Sequence, residues 1–249
     1  MASTENADTA IRLDAGWRHL TVLWAIPTVV GATAVTARSG SRGALVGVIA
    51  GGIVALAAIR AAVVDAEARA GLEPLTAATA LTVARASALA LLGASLGAGL
   101  SAGLHPWFAG AMFAVAAGGD AVDGAVARAR DAVTMLGGSL DAEVDGATVL
   151  IGATVAVAAG TAVSAFLAVG LARPLFSWAR RRRRRRGLPT HDLRPSRLRR
   201  PIGAVTMVVT WLAVSPVIGT DTSRLLTAAL AIPVAASFAR DWLVVSGRL

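Results

Sequence analysis

The stretch DAVDGAVARARDAVTMLGGSLDAEVD, Asp120 to Asp145, closes one apolar segment and opens the next. It holds six of the fifteen acidic residues of the chain: Asp120, Asp123, Asp131, Asp141, Glu143 and Asp145. Asp120 and Asp123 are three apart, and Asp141 and Asp145 four apart, so each pair lies on one face of a helix. Two apolar helices joined by so short a connection run antiparallel, which brings the four carboxylates to the same end of the pair. Carboxylates at a membrane boundary are costly and mark ion or substrate sites.

Outward from that stretch the chain is apolar almost throughout. Of its 249 residues 55% are hydrophobic and only 16% charged, against about a quarter charged in soluble domains. A bilayer is crossed by about 20 apolar helical residues, and on that scale the sequence predicts eight spans: 19–37, 44–64, 77–104, 107–122, 137–159, 161–178, 201–218 and 223–245. The expected fold is all-α, a polytopic membrane helix bundle. No second compositional block or repeat is visible, and the absence of Cys excludes disulfides, thiolate metal sites and cysteine nucleophiles. Residues 1–14 are polar and acidic and do not read as a signal peptide.

All 24 basic side chains are Arg, with an unbroken run from Arg180 to Arg186 followed by Arg194, Arg197, Arg199 and Arg200. Lying between two apolar spans without aromatic interleaving, the run predicts a loop that obeys the positive-inside rule and meets anionic lipid headgroups, and no nucleic acid is expected. With a cytoplasmic N-terminus only Arg38, Arg42 and Arg224 fall outside, and the other 21 arginines face the cytoplasm. The chain is therefore expected in the cell membrane, multi-pass, with the carboxylates and the Arg-rich loop on the cytoplasmic side.

Four clustered carboxylates repel one another unless a cation intervenes. Hard oxygen donors favour Mg2+, Mn2+ or Ca2+ over zinc, and a divalent ion beside a membrane pocket points to phosphate or pyrophosphate chemistry. The spacing Asp120-x2-Asp123-Gly124-x2-Ala127-Arg128-x8-Gly137-x3-Asp141-x3-Asp145 resembles the signature of the CDP-alcohol phosphatidyltransferases at all eight fixed positions. Leu81-Thr82-Val83-Ala84-Arg85 also looks like the Leu-Thr-x-x-Arg opening of that family's first core helix. The resemblance implies a six-helix core over 74–249, preceded by a 1–73 extension with two transmembrane helices.

The resemblance further implies transfer of a phosphatidyl-type group from a CDP-linked lipid, CDP-diacylglycerol or CDP-archaeol, to a small alcohol with release of CMP. Asp120, Asp123, Asp141 and Asp145 would hold Mg2+ or Mn2+, expected as two ions. Asp145 would serve as base, and Gly124, Ala127, Arg128 and Gly137 would line the nucleotide. A homodimer is compatible with this reading.

The acceptor stays open. Arg173 and Arg180, two helical turns apart, share a face if Pro174 does not break the helix, and such a pair could hold a phosphorylated polyol such as glycerol 3-phosphate. The segment Arg240 to Arg248 resembles the acceptor-side arginines of glycerol-phosphate-using members, though further downstream of Asp145. Serine and inositol phosphate remain alternatives, as does a cation transporter without catalysis. Transporters, however, show repeated halves, and the Asp pattern occurs once. Arg85 and Arg173 fit either a site role or snorkelling to the headgroups. His19, His105 and His191 are isolated, and the six Trp lie mostly near span ends as interfacial anchors.

Overall fold

The computed structural model describes residues 2–70, 76–98, 104–129, 134–191 and 199–248, with side chains described throughout these except at 2–18, 68–70, 77–78, 98 and 119–129. Among the described residues there are nine helices and no strand: α1 (Ala2–Ser39), α2 (Arg42–Ala70), α3 (Ala77–Leu92), α4 (Ala94–Ala98), α5 (Phe108–Ala129), α6 (Met135–Ala158), α7 (Phe166–Arg185), α8 (Arg199–Val214) and α9 (Thr220–Val245). α3 and α4 meet at Gly93 and make up the single span expected there. Among the described residues four helical stretches are long and apolar enough to cross a membrane, against the eight spans expected: His19–Ser39, Arg42–Glu67, Thr79–Gly97 and Thr220–Val245. The other apolar helices are shorter or carry the charged residues discussed below.

Local chemistry sets the boundaries. Thr76 and Thr134 cap α3 and α6, each hydroxyl accepting from a backbone N–H three residues on. α6 ends where Gly160 adopts φ +74, a conformation open to glycine without a Cβ penalty. The turn then anchors to α8, because Thr161 Oγ1 donates to the Ala213 carbonyl at 2.7 Å. α7 runs unbroken through Pro174 and on to Arg185. The arginine run expected in a loop is thus mostly helical. Arginine is a good helix former, and cations in a last turn interact favourably with the helix dipole.

The surface of the bundle is apolar where a soluble bundle is polar. Val22, Ile26, Val29 and Val30 of α1, Val46, Ile49 and Ile53 of α2, and Leu225 and Ile232 of α9 all point outward. Such faces suit lipid, and with hydrocarbon on both sides of a contact, helices associate through close packing and hydrogen bonds. Both devices are present. Trp24 Nε1 donates to the Ala86 carbonyl at 3.2 Å and Ser87 Oγ to the Trp24 carbonyl at 3.0 Å, tying α1 to α3. Trp211 Nε1 donates to the Gly110 carbonyl at 3.1 Å, tying α8 to α5. These two Trp therefore join helices rather than serving only as interfacial anchors.

The closest approach is between α2 and the α3–α4 span. Gly43, Gly47 and Gly51 form a stripe at four-residue spacing against Gly97, Gly93 and Ala90. A Cβ on Gly47 would collide with the Gly93 carbonyl, and one on Gly43 with the Gly97 carbonyl. α2 also packs along α6, and Ala55, Ile59, Ala62 and Ala66 join the main buried cluster with Val83, Leu89, Leu140 and Val144. Gly47→Ala should lower the thermal midpoint in detergent, with a loss of about 1–3 kcal/mol for a clash against rigid backbone. Gly203→Ala, where a Cβ meets open space, should leave the midpoint unchanged or slightly raised. Equal midpoints for the two variants would contradict the close α2–α4 contact.

Candidate active site

Antiparallel alternation gathers the N-terminal ends of α3, α6 and α8 with the C-terminal ends of α2, α5, α7 and α9. Charged contacts among the described residues concentrate at this end. On α6, Leu140 and Val144 point into the core while Asp141 and Asp145 turn towards α3. On α3, Thr82 and Arg85 are three residues apart and share the face that meets them.

Arg85 is the centre of the arrangement. It is 5% exposed, deep among apolar helices. Its Nε and Nη2 both donate to the Ala116 carbonyl of α5, at 3.2 and 2.7 Å. Its Nη1 reaches Asp141 Oδ1 at 3.4 Å, and Nη2 reaches Asp145 Oδ1 at 3.6 Å. Thr82 Oγ1 adds a 3.4 Å contact to Asp141 Oδ1. One planar fork thus joins three helices, a task that a single ammonium point charge could not perform in the same way. Asp120 and Asp123 stand four and seven residues beyond Ala116 on α5, the spacing of one helix face. Their side chains, and those of Ala127 and Arg128, lie outside the described residues, as does the surrounding of Gly124.

Gly137 sits in the first turn of α6, where its N–H donates to Thr134 Oγ1 at 3.0 Å. A Cβ there would come within 3.1 Å of that same hydroxyl. The absence of a side chain thus keeps the cap of the motif-bearing helix intact.

The arginines of α7 approach from the other side of α6. Arg173 lies across Gly146, the neighbour of Asp145, so closely that a Cβ on Gly146 would collide with Arg173 Cγ. Its Nε is buried and makes no hydrogen bond among the described residues. Because α7 is continuous, Arg173, Ser177, Arg180 and Arg184 follow one face, and Ser177 is buried on it. Arg181 pairs with Glu143 of α6 at 3.5 Å, and Arg184 with Asp65 of α2 at 2.9 Å. Arg183 donates to the Pro189 carbonyl at 3.0 Å and stacks over Trp242 of α9 at 6.0 Å. Arg199 grips Asp241 with Nε at 2.9 Å and Nη2 at 3.2 Å.

The spacing of the sequence singled out the carboxylates and the Arg173–Arg180 face. It left Arg85 between two readings and did not bring out Thr82, the Arg181–Glu143 pair or the Arg184–Asp65 pair. Thr82 and Arg85 were visible only as parts of Leu-Thr-x-x-Arg. The other pairs join residues far apart in the chain, so no local pattern marks them.

Among the described residues no group of three or more His, Asp or Glu side chains gathers as a metal site, and of the four carboxylates singled out by the sequence only the α6 half, Asp141 and Asp145, has its side chains described. That half suits a hard divalent cation. Asp141 and Asp145 are oxygen donors, each 29% exposed at the side chain, and their contacts to Arg85 are longer than the 2.7–2.9 Å or so of a saturated charge-assisted bond.

Helices with lipid-compatible faces, and carboxylates and guanidinium groups collected at one end, define a polytopic membrane helix bundle. The family model described as CDP-alcohol phosphatidyltransferase matches residues 75–239, well over half of the chain, and the chain belongs to that family. It is accordingly a membrane transferase of phospholipid biosynthesis, moving a phosphatidyl group from a CDP-alcohol to an alcohol. Neither a curated protein nor a solved structure matches it.

Removing the fork should be severe. Arg85→Ala leaves carboxylates and a buried carbonyl without their cation, a loss of about 3–5 kcal/mol for breaking a buried pair. Arg85→Lys should recover only part of it. Thermal unfolding in detergent measures both, and a wild-type midpoint for Arg85→Lys would show that the fork geometry is not required.

Proposed function

We propose that the chain transfers a phosphatidyl-type group from CDP-diacylglycerol or CDP-archaeol to glycerol 3-phosphate or a similar phosphorylated polyol, releasing CMP at the cytoplasmic face of the cell membrane. The observation that carries the acceptor is the seat of Arg173 against Gly146, one residue from Asp145. The stem of Arg173 is what packs there, and in this reading its guanidinium holds the phosphate of an acceptor whose hydroxyl the base must reach.

In this reading Asp145 takes the proton of the acceptor hydroxyl as that oxygen attacks the lipid-linked phosphorus. The bond from this phosphorus to the oxygen of CMP breaks, and CMP leaves. Asp120, Asp123 and Asp141, with Asp145, would hold Mg2+ or Mn2+, which would supply neutralisation of charge on the pyrophosphate and the departing CMP. Arg85 keeps Asp141 and Asp145 in register with α5. Gly124 and Ala127 let the nucleotide approach the backbone, Arg128 contacts its phosphates, and Gly137 keeps α6 close. Arg173 and Arg180 bind the acceptor phosphate. The exposed Arg182, Arg185 and Arg186 meet anionic headgroups. What supports the cytoplasmic orientation is the gathering of arginine at the same end as the carboxylates.

The test is CMP release by purified protein in detergent with CDP-lipid, Mg2+ or Mn2+, and a panel of glycerol 3-phosphate, serine, inositol phosphate and unphosphorylated polyols. Release is expected with glycerol 3-phosphate, and silence with every acceptor would overturn the reading. Asp145→Asn should lower kcat by roughly a hundredfold or more, as expected for a lost general base. Arg173→Ala and Arg180→Ala should raise the acceptor KM by about tenfold or more for a lost charged hydrogen bond, with the donor KM unchanged.

A further inference from the structure

We propose that α2, through the Asp65–Arg184 ion pair, holds the arginine face of α7 in place over the acceptor subsite, which makes Asp65 a positioning residue for acceptor binding. The proposal rests on the phosphorylated-acceptor reading above and adds to it an element lying before the matched residues 75–239.

The argument begins with Pro174. Lacking an N–H, it removes one rung of the α7 ladder just after Arg173, and the helix beyond it carries seven consecutive arginines that repel one another. The direction of this inner half therefore depends on what its side chains grip. Arg181 holds Glu143 of α6, Arg183 holds the C-terminal end of α9 through Trp242 and the Ser246 carbonyl at 3.5 Å, and Arg184 holds Asp65 of α2.

The α2 grip is the shortest of the three, with Arg184 Nη1 donating to Asp65 Oδ1 at 2.9 Å. Its side chains are 30% and 17% exposed, shielded enough to hold a fixed geometry. Arg184 is also the grip that lies on the same face as Arg173 and Arg180, four residues beyond the latter. Asp65 is itself well anchored. α2 is fixed by the glycine stripe against α3–α4 and runs along α6, the helix that carries Asp141 and Asp145. The carboxylates and the end of the arginine face are thereby referred to one rigid wall.

Weakening this grip should alter where Arg180 and Arg173 sit while leaving the α3–α5–α6 centre as it is. Asp65→Asn and Arg184→Gln should raise the acceptor KM by roughly three- to tenfold, the range seen for coupling through one network contact. The donor KM, kcat at saturating acceptor and the thermal midpoint should stay near wild type. A contact serving stability alone would lower the midpoint without this split. Asp65→Arg and Arg184→Asp should each be worse, and the double exchange should restore the acceptor KM.

A wild-type acceptor KM in Asp65→Asn, in enzyme that turns over glycerol 3-phosphate, overturns the proposal and leaves the proposed function standing. Failure of both single variants to yield folded protein assigns the pair to stability and overturns it as well. If wild-type enzyme releases CMP with no phosphorylated acceptor, the reading on which it rests has failed, and the proposal falls with it.

Discussion

Carboxylates brought together among apolar helices repel one another and lose the hydration that water would give them, so their charge must be matched inside the protein. Here the matching is assigned to a guanidinium. Arg85 sits almost fully buried on α3, fixes itself to a carbonyl of α5 and presents its remaining N–H groups to Asp141 and Asp145 of α6. The same contact thus ties α3 to the two helices that carry the motif and stabilises the charge of the α6 carboxylates. The capped start of α6, the close packing around Gly146 and the approach of α7 are arranged about that centre.

The charged end of the bundle is organised in two tiers. The inner tier is Arg85 with the α6 carboxylates. The outer tier is the inner half of α7, whose arginines grip α2, α6 and α9 in turn. Distributing one basic run over several partners limits the self-repulsion of neighbouring cations. It also ties helix ends that no backbone hydrogen bond connects. The opposite end needs no such network, because glycine contacts and single indole or hydroxyl bonds to carbonyls bring those helices together. This division suits a membrane protein, in which apolar burial cannot distinguish one lipid-like neighbour from another.

Much of this was readable from local pattern. The helices fall close to the expected spans, because runs of about 20 apolar residues have one stable conformation in lipid. The fixed spacing from Asp120 to Asp145 was enough to indicate the family. The arginine run was less readable. Read as a loop from its charge, it continues α7 through Arg185, since helix propensity and the terminal dipole favour the helix once partners absorb the charge. The tryptophans were likewise read as mostly interfacial anchors, but the N–H groups of Trp24 and Trp211 found carbonyls on neighbouring helices.

What the sequence determined by itself was periodic or of fixed spacing: the apolar helices, the shared turn of Asp141 and Asp145 on α6, and the family's kind of chemistry. What only the tertiary structure decided was which distant residues meet. Arg85 stood between a site role and snorkelling until α5 and α6 supplied Ala116 and Asp141. Asp65 was an ordinary helix-end carboxylate until Arg184, far along the chain, came to lie beside it. The physical reason is that spacing along a helix fixes a direction for each side chain, while the charge that answers it comes from another helix. That partner depends on how the whole bundle closes.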